Sequence, residues 1–158
     1  MPAAPFVSTA MTVEPEWTDY NGHMNMAYYN VLFDRCADQL FNVLGIGAAY
    51  AKERRMTIYT AESHVCYLRE LHEGEQVEVT FQLLDHDAKR IHAYQEIRHA
   101  DGWLAATSET LSLHVDMSGP KVAPFPADRL AAVEAMRAAH AGLPAPENAG
   151  RRIGIRRS

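Results

Sequence analysis

The stretch "EWTDYNGHMNMAYYNVLFDRCADQLFNVLG" (16–45) decides how the rest of the chain is read. Its second half repeats apolar residues at three- and four-residue steps: Tyr29, Leu32, Phe33, Cys36, Leu40, Phe41 and Leu44. That period gathers them on one face of a helix, with Asp34, Arg35, Asp38, Gln39 and Asn42 on the other. Asn25 is the residue type that caps a helix start, and Gly45 the type that ends one. The first half is richer than an approach to a helix requires. Asp19, Asn21, His23 and Asn25 crowd together around Gly22, where one turn residue and one cap would suffice.

Before the helix, "FVSTAMTV" (6–13) alternates, with Val7, Thr9, Met11 and Val13 on one side, and reads as a first strand. After it, "GIGAAYA" (45–51) lacks the third glycine and the preceding strand of a dinucleotide fingerprint, and reads as a helix terminator. Four strands follow, over 57–71, 73–87, 89–102 and 103–117. Asp101-Gly102 marks a hairpin between the last two. Residues 126–142 read as a shorter helix with Leu130, Val133, Met136 and Leu143 on one face. The expected fold is α+β: a single domain over 1–142, with a five-stranded antiparallel sheet wrapped around one long central helix, plus the short C-terminal helix. Residues 143–158 are expected to form a poorly ordered basic tail. The uncovered sheet face and one free edge call for a second copy, giving a homodimer or a dimer of dimers.

The 158 residues are 47% hydrophobic and 22% charged, with a formal net charge of −5. The sign argues against nucleic acid as a partner. "RRIGIRRS" (151–158) holds four arginines and no acid, so the remainder is more acidic than the whole. No apolar run is long enough to span a membrane, and the N-terminus has no secretory signal. Cys36 and Cys66 show no metal or redox spacing, and both read as small buried side chains in a reducing compartment. The cytoplasm is the expected location. The eight His show no H-E-x-x-H or comparable spacing, so no metal site is expected; there is no G-x-S-x-G and no P-loop either.

Two accounts fit residues 16–25. In one, Asp19 closes an Asx-turn, Gly22 supplies a positive φ and Asn25 caps the helix. In the other, the first-turn N–H groups around Asn25, Met26 and Ala27 stabilise an oxyanion, and the Asp19 carboxylate acts as base or nucleophile. The second account describes half of a hydrolase site.

"TDYNGHMNMAYY" (18–29) resembles the signature of the 4-hydroxybenzoyl-CoA-type hotdog thioesterases, in which D-x-x-G-[HV]-x-[NY] introduces the central helix. The resemblance spans about residues 6–117 and implies a hotdog fold and acyl-CoA thioester hydrolysis. It implies catalytic roles for Asp19, Gly22 and the backbone N–H groups around Asn25 and Met26, with His23 and Asn25 shaping the loop. A closer resemblance covers nearly the whole chain. "PEWTDYNGHMN", "YTAESHVCYLREL", "LLDHDAKRIHAY", "RHADGWLAATSETLSLHVD" and "AGRRIGI" look like betainyl-CoA thioesterases of carnitine breakdown. This implies betainyl-CoA as substrate and no cofactor beyond the CoA that the substrate carries. A thioesterase for another short or aromatic acyl group, a non-catalytic acyl-CoA-binding module and a hotdog hydratase remain alternatives.

A quaternary ammonium has no hydrogen-bond donor and is best held by aromatic faces and a carboxylate. Trp17, Tyr20, Tyr28, Tyr29, Tyr59 and Tyr67 lie in segments that should border the site, Tyr29 reading mainly as core. Trp17, Tyr20, Tyr28, Tyr59 and Glu62 are the candidates for that role. Lys89 and Arg90, with Arg98 and the tail arginines, are candidates for the CoA phosphates.

Overall fold

The structure is a computed structural model, and it describes residues 3–158. The chain forms β1 (Phe6–Val7), β2 (Met11–Thr12), a 3-10 turn (Pro15–Trp17), α1 (Met26–Val43) and α2 (Ala48–Arg54). Next come β3 (Met56–Tyr67), β4 (Gln76–His86), β5 (Arg90–His99), β6 (Leu104–Asp116), β7 (Lys121–Val122) and α3 (Ala127–His140).

The period seen in the sequence places α1 correctly. Asn25 Oδ1 accepts the Ala27 N–H at 2.9 Å, and Gly45 takes φ +70° just past the last turn. Tyr29, Leu32, Phe33, Cys36 and Leu40 are buried. They join Val77, Val79, Phe81, Leu83, Ile91 and Ile97 of the sheet in one core. Each such side chain contributes about 1.5–3 kcal/mol by leaving water.

The sheet is antiparallel in the order β1-β4-β5-β6-β3, with β2 also on β4 and β7 on β6. It therefore has seven strands instead of the expected five. The predicted first strand is split in two because the chain rolls over at Ser8. The buried Ser8 hydroxyl accepts the Val79 N–H at 3.0 Å, which turns Val7 and Thr9 outward while Met11 and Val13 stay in the core. β7 is a two-residue return too short to show a pattern. The segment read as a terminator does stop α1, but α2 follows at once. Tyr50 anchors α2, donating its hydroxyl to His114 Nε2 at 2.7 Å while His114 Nδ1 donates to Ala123 O. Arg54 grips Asp128 of α3 with two hydrogen bonds of 2.9 and 2.7 Å, which holds that carboxyl below its usual range.

Register shifts fall at three places in the sheet, first between Thr60 and Glu62 in β3, second between Leu83 and Asp85 in β4, and third where β5 passes from Ile97 to Arg98 against β6. At the second, the Leu83 N–H donates to His140 Nδ1 at 2.9 Å, which leaves Nε2–H to donate to Ala3 O at 2.7 Å. Both cysteines are free; Cys36 is buried, but Cys66 is only half-buried, contrary to expectation. Burial pushes the Cys36 thiol up to about 12.

Residues 143–158 form no helix or strand and run across the sheet face opposite α1. Gln82 Nε2 donates to Pro144 O at 3.2 Å, and the Gly150 N–H donates to Glu109 Oε2 at 2.7 Å. Arg151 and Ile153 then lie beside His64–Tyr67 of β3 and Leu68 just past it. Among the described residues, no helix is long and apolar enough to cross a membrane.

Candidate active site

The loop before α1 is tied by its own backbone. Thr18 and Met24 pair as an isolated bridge, Asp19 N–H donates to His23 O at 2.9 Å, and Gly22 N–H donates to Asp19 O at 3.0 Å. Gly22 sits at φ +77°, and a Cβ there would meet nothing within 4 Å, so glycine is required for conformation and not for space. Asp19 Oδ1 accepts N–H bonds from Asn21 at 2.8 Å and His23 at 3.2 Å. The Asx-turn is therefore real. It occupies only one carboxylate oxygen; among the described residues Oδ2 has no partner, and Asp19 is exposed.

The first helical turn has a matching vacancy. Asn25 N–H donates to Trp17 O at 2.8 Å, Ala27 N–H to Asn25 Oδ1 at 2.9 Å, and Tyr28 N–H to Asn25 O at 3.0 Å. Among the described residues the Met26 N–H alone is left over in that turn. It lies at the positive end of α1, where negative charge is favoured. The two accounts of residues 16–25 are thus compatible: one set of bonds builds the turn, and the groups it leaves over can do chemistry.

The structure brings together Asp19, Gly22, His23, Asn25 and Met26, with Trp17 and Tyr28 behind them. Trp17 is buried and stacks on Tyr28 with 5.9 Å between ring centroids, and the Arg35 guanidinium lies 5.0 Å from its ring. Trp17 therefore already holds a cation. Tyr20 is 97% exposed. The structure does not bring Tyr59, Glu62, Lys89 or Arg90 to Asp19 within one protomer. Tyr67, at the end of β3, donates its hydroxyl to Met26 O at 3.2 Å, which fixes that end of β3 beside the site. At ~3.3 Å per residue, Glu62 is roughly 17 Å back along the strand and Tyr59 roughly 26 Å. Glu62 lies on the face opposite α1, in a cavity of about 350 Å³ with Asp85, His86, Asp87, Arg90 and His92. Lys89 is in the turn between β4 and β5 and Arg90 is the first residue of β5, at the far end of the sheet. Arg90 is held by Asp87, with Nε 2.6 Å from Oδ2.

Tyr67 borders the site as the sequence predicts, although its bond to Met26 depends on where β3 ends relative to α1. Tyr67 also packs edge-on to the buried Tyr29, whose hydroxyl accepts the Leu71 N–H at 3.2 Å. One feature escaped the sequence reading, a cavity of about 380 Å³ between α1 and the inner sheet face. Phe33, Phe41, Phe81 and Asp34 line it, with Thr60 and Ser63 of β3 on its far wall. Asp34 is exposed, as its place on the polar face of the helix predicts, and it also borders this cavity.

The chain belongs to the thioesterase-like superfamily, whose family model matches residues 13–133. It is 42% identical over 144 residues to the betainyl-CoA thioesterase of Pseudomonas aeruginosa, covering 90% of this chain and 91% of that one. It is 40% identical to an L-carnitine dehydrogenase/betainyl-CoA thioesterase of Rhizobium meliloti; that match covers 92% of this chain but only 29% of the longer relative. Among solved structures, a Staphylococcus aureus protein in complex with CoA superposes with a TM-score of 0.91 at 28% identity, over 99% of this chain and 98% of that one.

Proposed function

We propose that this protein is an acyl-CoA thioesterase that hydrolyses betainyl-CoA to betaine and CoA, as a step of carnitine breakdown in the cytoplasm. The observation that carries the reading is that one short loop holds both an exposed carboxylate, Asp19, and an unpartnered helix-start amide, that of Met26, in a member of the thioesterase-like superfamily. The full-length match to a betainyl-CoA thioesterase supports the acyl group.

The thioester carbonyl oxygen would accept the Met26 N–H, and that bond strengthens as the oxygen gains charge. Asp19 either takes a proton from the attacking water or attacks the carbonyl itself, and both routes place the same oxyanion on the same donor. When water attacks, the C–S bond then breaks and CoA leaves as thiolate, taking a proton from solvent or from the Asp19 carboxyl group. When Asp19 attacks, CoA leaves as thiolate and takes its proton from solvent. Water then cleaves the Asp19–acyl anhydride, which releases betaine and restores the carboxylate. Water, a carboxylate and an amide complete this balance without a further cofactor.

The cavity between α1 and the sheet suits the acyl end. Three Phe rings and Asp34 offer a trimethylammonium group what it can use, faces and a negative charge. We place a second copy against β3, the sheet's long unpaired edge. Antiparallel pairing there sets one protomer's far sheet end beside the other's α1 start. Glu62, Tyr59, Lys89 and Arg90 of one protomer would thereby approach Asp19 of its partner, the phosphates of CoA meeting the cations. Homodimers or dimers of dimers follow.

Thiol release from betainyl-CoA, measured beside neutral acyl-CoA thioesters, tests the reading. Steady turnover is expected. Tight binding of acyl-CoA without thiol release would identify a non-catalytic binding module instead.

A further inference from the structure

We infer that His23, Glu70 and His72 form a binding site for a divalent transition-metal ion of the zinc class, on the outer side of the loop that carries Asp19. The three residues are far apart in sequence, and an isolated antiparallel bridge between His23 and His72 joins them. The Met24 N–H donates to Leu71 O at 2.9 Å and locks the pair in register. Directly opposed residues carry their side chains on one face, and the two imidazoles meet edge to face with 5.2 Å between centroids. Leu71 is fully buried, so its neighbours Glu70 and His72 point the other way, onto the face that carries His23.

The donor geometry fits an ion. One ligand atom from each residue lies within 4.8 Å of the others. His23 Nε2 and Glu70 Oε2 are 3.2 Å apart. Two donors about 2.0–2.2 Å from a tetrahedral zinc are themselves about 3.3–3.6 Å apart, so small side-chain rotations close the set. Glu75 Oε1 is 3.5 Å from His72 Nδ1, the position of an outer carboxylate that orients the ring and leaves Nε2 for the metal. Two imidazoles and one carboxylate suit zinc and its neighbours rather than magnesium or calcium. The three side chains are half-buried to exposed, which leaves an open coordination position and a path for the ion.

The site is separate from the hydrolysis proposed above, but it shares a strut with it. The His23 backbone both donates to and accepts from Asp19, so an ion on the His23 ring would fix the loop that presents the carboxylate.

Calorimetric titration of the metal-stripped full chain with Zn²⁺ tests the proposal. One ion per chain is expected. Glu70→Gln and His72→Ala should each weaken binding at least about tenfold, the scale set by losing even an outer-shell partner. A control, His64→Ala, lies outside the cluster and should bind as the wild type does. No uptake of Zn²⁺ by the wild type would overturn the proposal. So would unchanged affinity in both Glu70→Gln and His72→Ala. Glu70 is exposed and has no packing role, so its variant keeps the test decisive if His72→Ala folds poorly.

Discussion

At the α1 end of the sheet, Asp19 keeps one carboxylate oxygen free beside a backbone amide that has no partner. At the far end, Asp87 is taken by Arg90, and further along the sheet Glu109 Oε1 accepts a hydrogen bond from His92 Nε2 at 2.8 Å. Both ends gather ionisable side chains, and the far end has a well-formed cavity as well. Density of charge is thus a poor guide to chemistry. The far end also leaves a group over, since His86 Nδ1 is buried there with no partner among the described residues. What distinguishes the first end is a carboxylate carried on the loop that leads into a helix start with an unpartnered N–H.

Exchanging one carboxylate at each end gives the sharpest contrast. Asp19→Asn should lower kcat by at least about 10²-fold, since an amide neither accepts a proton usefully nor attacks. The circular dichroism and CoA affinity should stay as in the wild type. Near-normal turnover by the folded variant would remove Asp19 from the chemistry. Glu62→Gln at the far end should cost less than about tenfold in kcat/KM, and more for betainyl-CoA than for a neutral acyl-CoA, because its role is attraction across the dimer. A loss equal to that of Asp19→Asn on both substrates would move the catalytic centre to the far end. Size-exclusion with light scattering bears on the same point, since a fully active monomer at micromolar concentration would leave Glu62 too far from Asp19 to matter.

Asn25→Ala probes what holds the near end in place. Losing the cap bond to Ala27 should destabilise the protein by about 1 kcal/mol. For a chain of this size that is a fall in Tm of about 2–4 °C, readable by differential scanning calorimetry. An unchanged Tm would mean that the Trp17 and Tyr67 contacts fix the helix start without the cap.

The smallest effect at neutral pH comes from Cys36. Its thiol ionises near 9.0 when exposed and at about 12 when folded. A raised folded value means that its stabilising contribution is complete below 9.0 and is lost as pH rises toward about 12. A thiol reagent at pH 8 should titrate one cysteine in the native protein, the half-buried Cys66, and two after denaturation. Two fast-reacting thiols in the native state would show that α1 opens readily.

Much of this architecture is legible in the sequence alone. The helix period, the Asn25 cap, the Gly45 stop and the β4 alternation each report a local rule, and each was met. What escaped was either too short to carry a period, such as β7 and α2, or broken by one residue, such as the first strand at Ser8. The site divides the same way. The loop from Asp19 to Met26 is contiguous, so its turn chemistry and its leftover groups could be read along the chain. That Asp34, exposed as its helix face predicts, also borders a cavity depends on what stands beside the helix. Whether Tyr67 meets Met26, or His23 meets His72, depends on where strands end, and spacing along a sequence does not carry that information.

The measurement that bears most directly on the account is the ratio of kcat/KM for betainyl-CoA to that for 3,3-dimethylbutyryl-CoA. The two acyl groups match in shape and differ in charge. Aromatic faces contribute about 0.5–2 kcal/mol each toward a desolvated cation, and about 1.4 kcal/mol is tenfold. A preference of at least about tenfold for betainyl-CoA is therefore expected, and Asp34→Asn should erode it. A wild-type enzyme that prefers the neutral isostere would contradict the account, leaving a thioesterase whose acyl group is something other than betaine.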